Sequence, residues 1–151
     1  MSVVRSPDNE AVVLGMWEDY DREGLPGILR WAAEDAIWRP HSSRQSEFRS
    51  TAEYRASVED AVARGVSVDS IRLGIWSHED VVAVRGQLRV RQGGVLSDSR
   101  MNRLPPTHRV QDGKVRWTAS SPDLGRLLAD AGLPGRANEA YMAMHGTEGV
   151  G

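Results

Sequence analysis

Cysteine is absent from all 151 residues. That excludes disulfides, thiolate metal sites and a cysteine nucleophile, and it fits a reducing compartment. Phenylalanine occurs once. No segment approaches the roughly 18 consecutive apolar residues of a membrane span. The N-terminal MSVVRSPDNEAVVLG lacks the apolar stretch, roughly 7–15 residues long, that a signal peptide needs, so a cytoplasmic location is expected. The four histidines are scattered and form neither HxH nor HExxH, so no metal is expected. No glycine-rich loop precedes a helix: Gln92-Gly93-Gly94 joins two predicted strands and lacks the helix N-terminus a phosphate would use. No G-x-S-x-G elbow is present. No organic cofactor is expected.

What is present fits one small globular domain. Apolar residues make up 40% and charged residues 26%, and the formal net charge is −2. No run of like charge stands out, so neither nucleic acid nor a membrane surface is expected as a partner. Arginine far outnumbers lysine, a matter of codon usage rather than chemistry. No repeat or linker divides the chain. We expect a single domain over residues 1–135 and a loose tail over 136–151.

A first helix should begin at Ser6-Pro7, with Asp8 and Glu10 at its positive end and Val12, Val13, Met16, Trp17 and Tyr20 on one face. Gly24 ends it. A short helix follows in Leu25 to Ala33, then a brief strand from Ala36 to Pro40. Ser50 and Glu53 have capping-box spacing for a further helix, with Tyr54, Val58, Ala61 and Val62 as its apolar stripe and Gly65 as its left-handed cap. After Gly65 the period changes from helical to two. Four strands are predicted: Val68 to Trp76, Val81 to Arg91, Val95 to about Val110, and Lys114 to Ser120. Asp112-Gly113 is a hairpin turn signal, because both turn positions need positive φ. Gly74 and Gly86 mark bends or bulges inside strands. Ser121-Pro122 should open a last helix with Leu124, Leu127, Leu128 and Ala131 inward. The expected fold is α+β: a curved antiparallel sheet of four to five strands wrapped around three to four helices, like a cone.

The order and spacing of four strings, WEDYDREGLPGIL (17–29), AEDAIWRP (33–40), RSTAEYRASV (49–58) and DGKVRW…SPDLGRLLADAGL (112–133), resemble the nuclear transport factor 2-like superfamily, in its SnoaL-like branch. The resemblance covers roughly residues 8–133. It implies a conical α+β fold, frequent homodimers, and a pocket between sheet and helices. Its members include isomerases, polyketide cyclases, epoxide hydrolases, dehydratases and non-catalytic binding modules, so the fold does not choose the reaction. The ketosteroid isomerase branch places a tyrosine on the first helix, a carboxylate at the end of the first strand and a protonated carboxylate on a later strand. Those positions fall here on Trp17, on Arg39 or Pro40, and near Leu104 to Pro106. Arginine accepts no proton at neutral pH and proline offers none, which argues against that chemistry. No Arg/Asp pairing aligns with the epoxide hydrolase branch.

Five tryptophans against one phenylalanine supply flat apolar area with a single N–H donor each. Trp17, Tyr20, Trp38, Trp76 and Trp117 are therefore pocket walls or simple core. Strand parity in the family favours Trp38 and Trp117. His108 shares parity with Val110 on a predicted central strand, and is either a general acid or base or a structurally satisfied histidine. His41 follows the first strand and is either at the pocket rim or in an exposed loop. Asp98, Arg100 and Asn102 alternate on one strand face; they either line the pocket or form the wet side of the sheet. If they point inward, Asp98 and Arg100 must be paired. Glu18, Asp19, Asp21, Glu34 and Asp35 are expected at the surface, as is His78. The first functional expectation is a small acid–base enzyme acting on a hydrophobic, oxygenated metabolite: a cyclase, isomerase, dehydratase or hydrolase. His108 would transfer the proton, and Asp98, Arg100, Asn102 or His41 would orient the substrate. The alternative is a non-catalytic ligand-binding or dimerisation module.

Overall fold

A computed structural model describes residues 4–40, 47–96 and 106–120, together with Ala129. The first helix, α1 (Pro7–Glu23), starts where proline costs nothing: the Ser6 hydroxyl accepts from the Asn9 amide, and Asp8 and Glu10 lie in the first turn. Gly24 stops it at φ 79°, a conformation side chains avoid. A single turn, α2 (Leu25–Ile28), and a 3-10 turn (Leu29–Trp31) lead into strand β1 (Ala32–Arg39). That strand begins four residues before the expected Ala36, because Ala32 pairs with Val115 and a bulge separates it from Ile37. Helix α3 (Thr51–Ala63) follows. The Ser50 hydroxyl accepts from the Glu53 amide at 3.1 Å, and the Glu53 carboxylate accepts from the Arg49 amide at 2.8 Å. Gly65 closes the helix at φ 81°.

Strands β2 (Val66–His78), β3 (Val81–Gln92), β4 (Val95–Leu96), β5 (Thr107–Gln111) and β6 (Lys114–Ala119) complete the order. Asp112 and Gly113 both have positive φ in the β5–β6 turn. A bulge lies between Arg72 and Gly74, as Gly74 suggested. The sheet runs β1-β6-β5-β3-β2, with β4 beside β3. It is curved and open, but not wholly antiparallel: β1 lies parallel to β6. The expected strand from Val95 to Val110 begins as β4 and ends in β5. Residues 97–105, the helix predicted from Ser121 apart from Ala129, and the tail lie outside the described residues. Among the described residues, no helix is long and apolar enough to cross a membrane.

The core joins α1 to the sheet and to α3. Val13, Met16 and Trp17 meet Ala36, Trp38, Phe48, Val82, Val84, Val110 and Val115. The start of α1 is bonded directly to β2. Glu10 is buried, accepts from Arg5 (Nη2 at 2.7 Å) and from the Ser77 hydroxyl, and that hydroxyl accepts from the Ser6 amide at 2.9 Å. Burial pushes the Glu10 carboxyl up, but the hydrogen bonds from Arg5 and Ser77 outweigh it and hold the group below its usual range.

The end of α1 is fastened to α2. Asp19, expected at the surface, is buried and accepts from Arg22, from Arg30 (3.1 Å) and from the Trp31 indole N–H (2.8 Å). A Cβ on Gly27 would sit 2.5 Å from the Asp19 carbonyl oxygen. Gly27→Ala must therefore push two backbones apart, and we expect it to cost about 1–3 kcal/mol in chemical denaturation.

Candidate functional site

Hydrogen-bonded register assigns each side chain to a face of the sheet, since residues directly opposite across strands share one. One row reads Trp38–Thr118–His108–Val82–Ser77, from β1 through β6, β5 and β3 to β2. This is the inner face, which meets α1. The next row on the other side reads Arg39–Ala119–Thr107–Ala83–Trp76. A second outer row reads Ile37–Trp117–Arg109–Val81–His78.

Two of the expected pocket walls are thereby corrected. Trp117 lies on the outer face. Simple alternation from the inward Val115 would bring it inside, but a bulge between Arg109 and Val110 pairs them with Trp117 and Val115 and leaves Arg116 as the extra residue. Trp76 also points outward, opposite Ala83, and is buried there. His78, expected in a wet turn, is buried at the end of β2; its Nδ1 accepts from the Val4 amide at 3.0 Å.

Trp17, Tyr20, Trp38 and His108 do come together inside. His108 is fully buried. The Trp17 indole N–H donates to its Nε2 at 3.3 Å, and its Nδ1 lies 2.8 Å from the Thr118 hydroxyl oxygen. Trp17 meets Tyr20 edge-on at 5.2 Å between centroids. Trp38 stacks on Tyr54 at 4.4 Å and donates to Thr51 Oγ1 at 3.2 Å. Burial lowers the His108 imidazole to about 3, so the ring is neutral at physiological pH. Burial, with Tyr20 nearby, pushes the Tyr54 phenol up to about 12, so it stays a neutral hydroxyl.

Arg72 is an inner-face group that strand alternation did not single out. It stands opposite Gly86, its guanidinium lies 5.9 Å from the Trp17 ring centre, and it pairs with Asp21. The β2 bulge after Arg72 explains why both Arg72 and Ile75 face inward. His41, Asp98, Arg100 and Asn102 lie outside the described residues. Glu34 and Asp35 are exposed, as expected. Among the described residues, no group of three acidic or histidine side chains is placed to hold a metal ion.

Thr118 was missed altogether. Trp38 and His108 on either side of it are buried, yet Thr118 keeps partial solvent exposure. Solvent thus reaches the sheet beside the buried imidazole.

No family model matches the chain, and no curated protein matches its sequence. Solved structures do match its fold. An LEH-like epoxide hydrolase of M. tuberculosis superposes with a TM-score of 0.61 at 12% identity, over 75% of this chain and 80% of that one. TerC co-crystallised with polyporic acid gives 0.60 at 15% identity, over 76% and 90%. A SnoaL-like candidate polyketide cyclase from Mesorhizobium loti gives 0.59 at 13% identity, over 74% and 97%.

Proposed function

We propose, from the nuclear transport factor 2-like fold that this chain adopts, that it takes a small hydrophobic, oxygenated molecule against the inner face of its sheet. The chemistry done there is acid–base chemistry of the cyclase, isomerase, dehydratase or hydrolase kind, without an organic cofactor. The observation that supports this reading is the meeting of Trp17, His108 and partly exposed Thr118 on the α1-facing side. Apolar walls with a few convergent polar groups are what small-molecule sites require. TerC, of similar fold, was crystallised with polyporic acid. A homodimer and a cytoplasmic location belong to the same proposal.

His108 would serve as the base in its neutral form. To do so, a substrate proton must take the place of the Trp17 N–H at Nε2. A second reading, a non-catalytic binding module, is favoured by one observation: both His108 nitrogens already have protein partners. Titration with polyporic acid, followed by tryptophan fluorescence, is expected to saturate under either reading; a flat response would contradict both. Turnover separates them. Screened against aromatic ketones, β-diketones and epoxides, the enzyme reading expects a reaction that His108→Gln slows at least about 100-fold. Saturable binding with no turnover of any class favours the module.

A further inference from the structure

Which hydrogen each group holds at the Trp17–His108–Thr118 junction follows from donor chemistry. An indole N–H only donates. His108 Nε2, 3.3 Å from Trp17 Nε1, must therefore offer its lone pair. A neutral imidazole with a bare Nε2 carries its hydrogen on Nδ1. That hydrogen points to Thr118 Oγ1 at 2.8 Å, so the hydroxyl oxygen accepts. The opposite arrangement, with Thr118 donating to Nδ1, would set two N–H groups against each other at Trp17. The hydroxyl hydrogen of Thr118 is consequently turned away from the imidazole, and among the described residues no acceptor receives it. Thr118 is also the member of the row Trp38–Thr118–His108 that solvent reaches.

We infer that the Thr118 hydroxyl is the hydrogen-bond donor this site presents to its ligand, that His108 is the positioning residue that sets its direction, and that the ligand carries an acceptor oxygen, of carbonyl or ether type, beside its apolar body. A hydroxyl that already accepts one hydrogen bond is polarised into a better donor. Trp17 closes the chain at the far end by fixing the tautomer. The inference rests on the inner-face site proposed above and adds what that site recognises. It adds to either functional reading a direct contact from Thr118, which His108 aims through Nδ1; the Nε2 atom stays the one at which the enzyme reading places proton transfer.

A matched pair of probes tests it: 2-acetylnaphthalene, which has an acceptor oxygen, and 2-isopropylnaphthalene, which has the same outline without one. Affinities are read by tryptophan fluorescence in the wild type, Thr118→Val and Thr118→Ser. The ratio of ketone to hydrocarbon affinity is expected to fall about three- to ten-fold in Thr118→Val, the worth of one neutral hydrogen bond, and to return in Thr118→Ser. Thr118→Ala gives the same comparison if the valine variant does not fold. A ratio unchanged by loss of the hydroxyl, with both probes bound, overturns the role of Thr118 and leaves the inner-face site standing. Failure of both probes to bind the wild type overturns the site and this inference with it.

Discussion

Acidification from pH 6.5 towards 3 is expected to weaken folding by about 1.4 kcal/mol per pH unit through His108 alone. The unfolded imidazole takes its proton near 6.5, whereas burial holds the folded one to about 3. Between those values the unfolded chain binds one more proton. The contribution of the neutral ring is therefore complete above pH 6.5, shrinks through the window, and is gone below about 3. Over the whole window it is on the order of 5 kcal/mol, comparable with the total stability of a small domain. Carboxylates such as Glu10, held below their usual range, lose stability in the same direction on acidification. The comparison that isolates the histidine is between wild type and His108→Gln, by urea denaturation at several pH values from 7.5 to 4. The variant should be less pH-sensitive by nearly the full slope. Parallel curves would mean that His108 protonates in the folded protein as freely as in the unfolded one.

Trp38→Ala is expected to cost about 3–5 kcal/mol, and to lower the melting temperature by roughly 10 °C or more. Three losses combine at that position. The ring is 1% exposed, so a large cavity would open beneath β1. Its stack on Tyr54, with planes 11° apart, ties β1 to α3. Its indole N–H donates to Thr51 Oγ1, whose own hydrogen goes to the Ala33 carbonyl at 2.6 Å. Trp38→Phe keeps most of the packing and removes the N–H, so it should cost about 1–2 kcal/mol. Calorimetry on the two variants separates packing from hydrogen bonding. Equal losses would show that the N–H to Thr51, and not the ring volume, dominates.

The helices and turns were legible because their signals are local. Ser6-Pro7, Gly24, the Ser50/Glu53 pair, Gly65 and Asp112-Gly113 each fix a boundary through one or two residues, and each does what its chemistry suggests. The faces of the strands were less legible, because a bulge is decided by tertiary packing. A two-residue turn at Asp112-Gly113 pairs Gln111 with Lys114 and Val110 with Val115. Continued without interruption, that count would place His108 opposite Trp117. The bulge at Arg116 advances it by one, to Thr118. One residue of slip reverses every side chain beyond it; here it moves an indole out of the inner face and brings a hydroxyl in. The parallel pairing of β1 with β6 was equally hidden, since it joins distant parts of the chain.

Buried charge was the other blind spot. Asp19 sits in the polar run Glu18-Asp19-Tyr20-Asp21, and only the return of Arg30 and Trp31 over the end of α1 makes it an interior acceptor. Glu10 looked like a first-turn acid and is one, but it also fastens α1 to Ser77 on β2. Neither long-range partner is signalled by nearby sequence.

The most direct test is the protonation state of His108, read by nitrogen-15 NMR of the imidazole in selectively labelled protein from pH 8 to 4. A neutral ring with its hydrogen on Nδ1 and a bare Nε2 throughout that range is the expected result. A ring that becomes a cation near pH 6.5, or that holds its hydrogen on Nε2, would contradict the Trp17–His108–Thr118 arrangement and the donor role it gives Thr118.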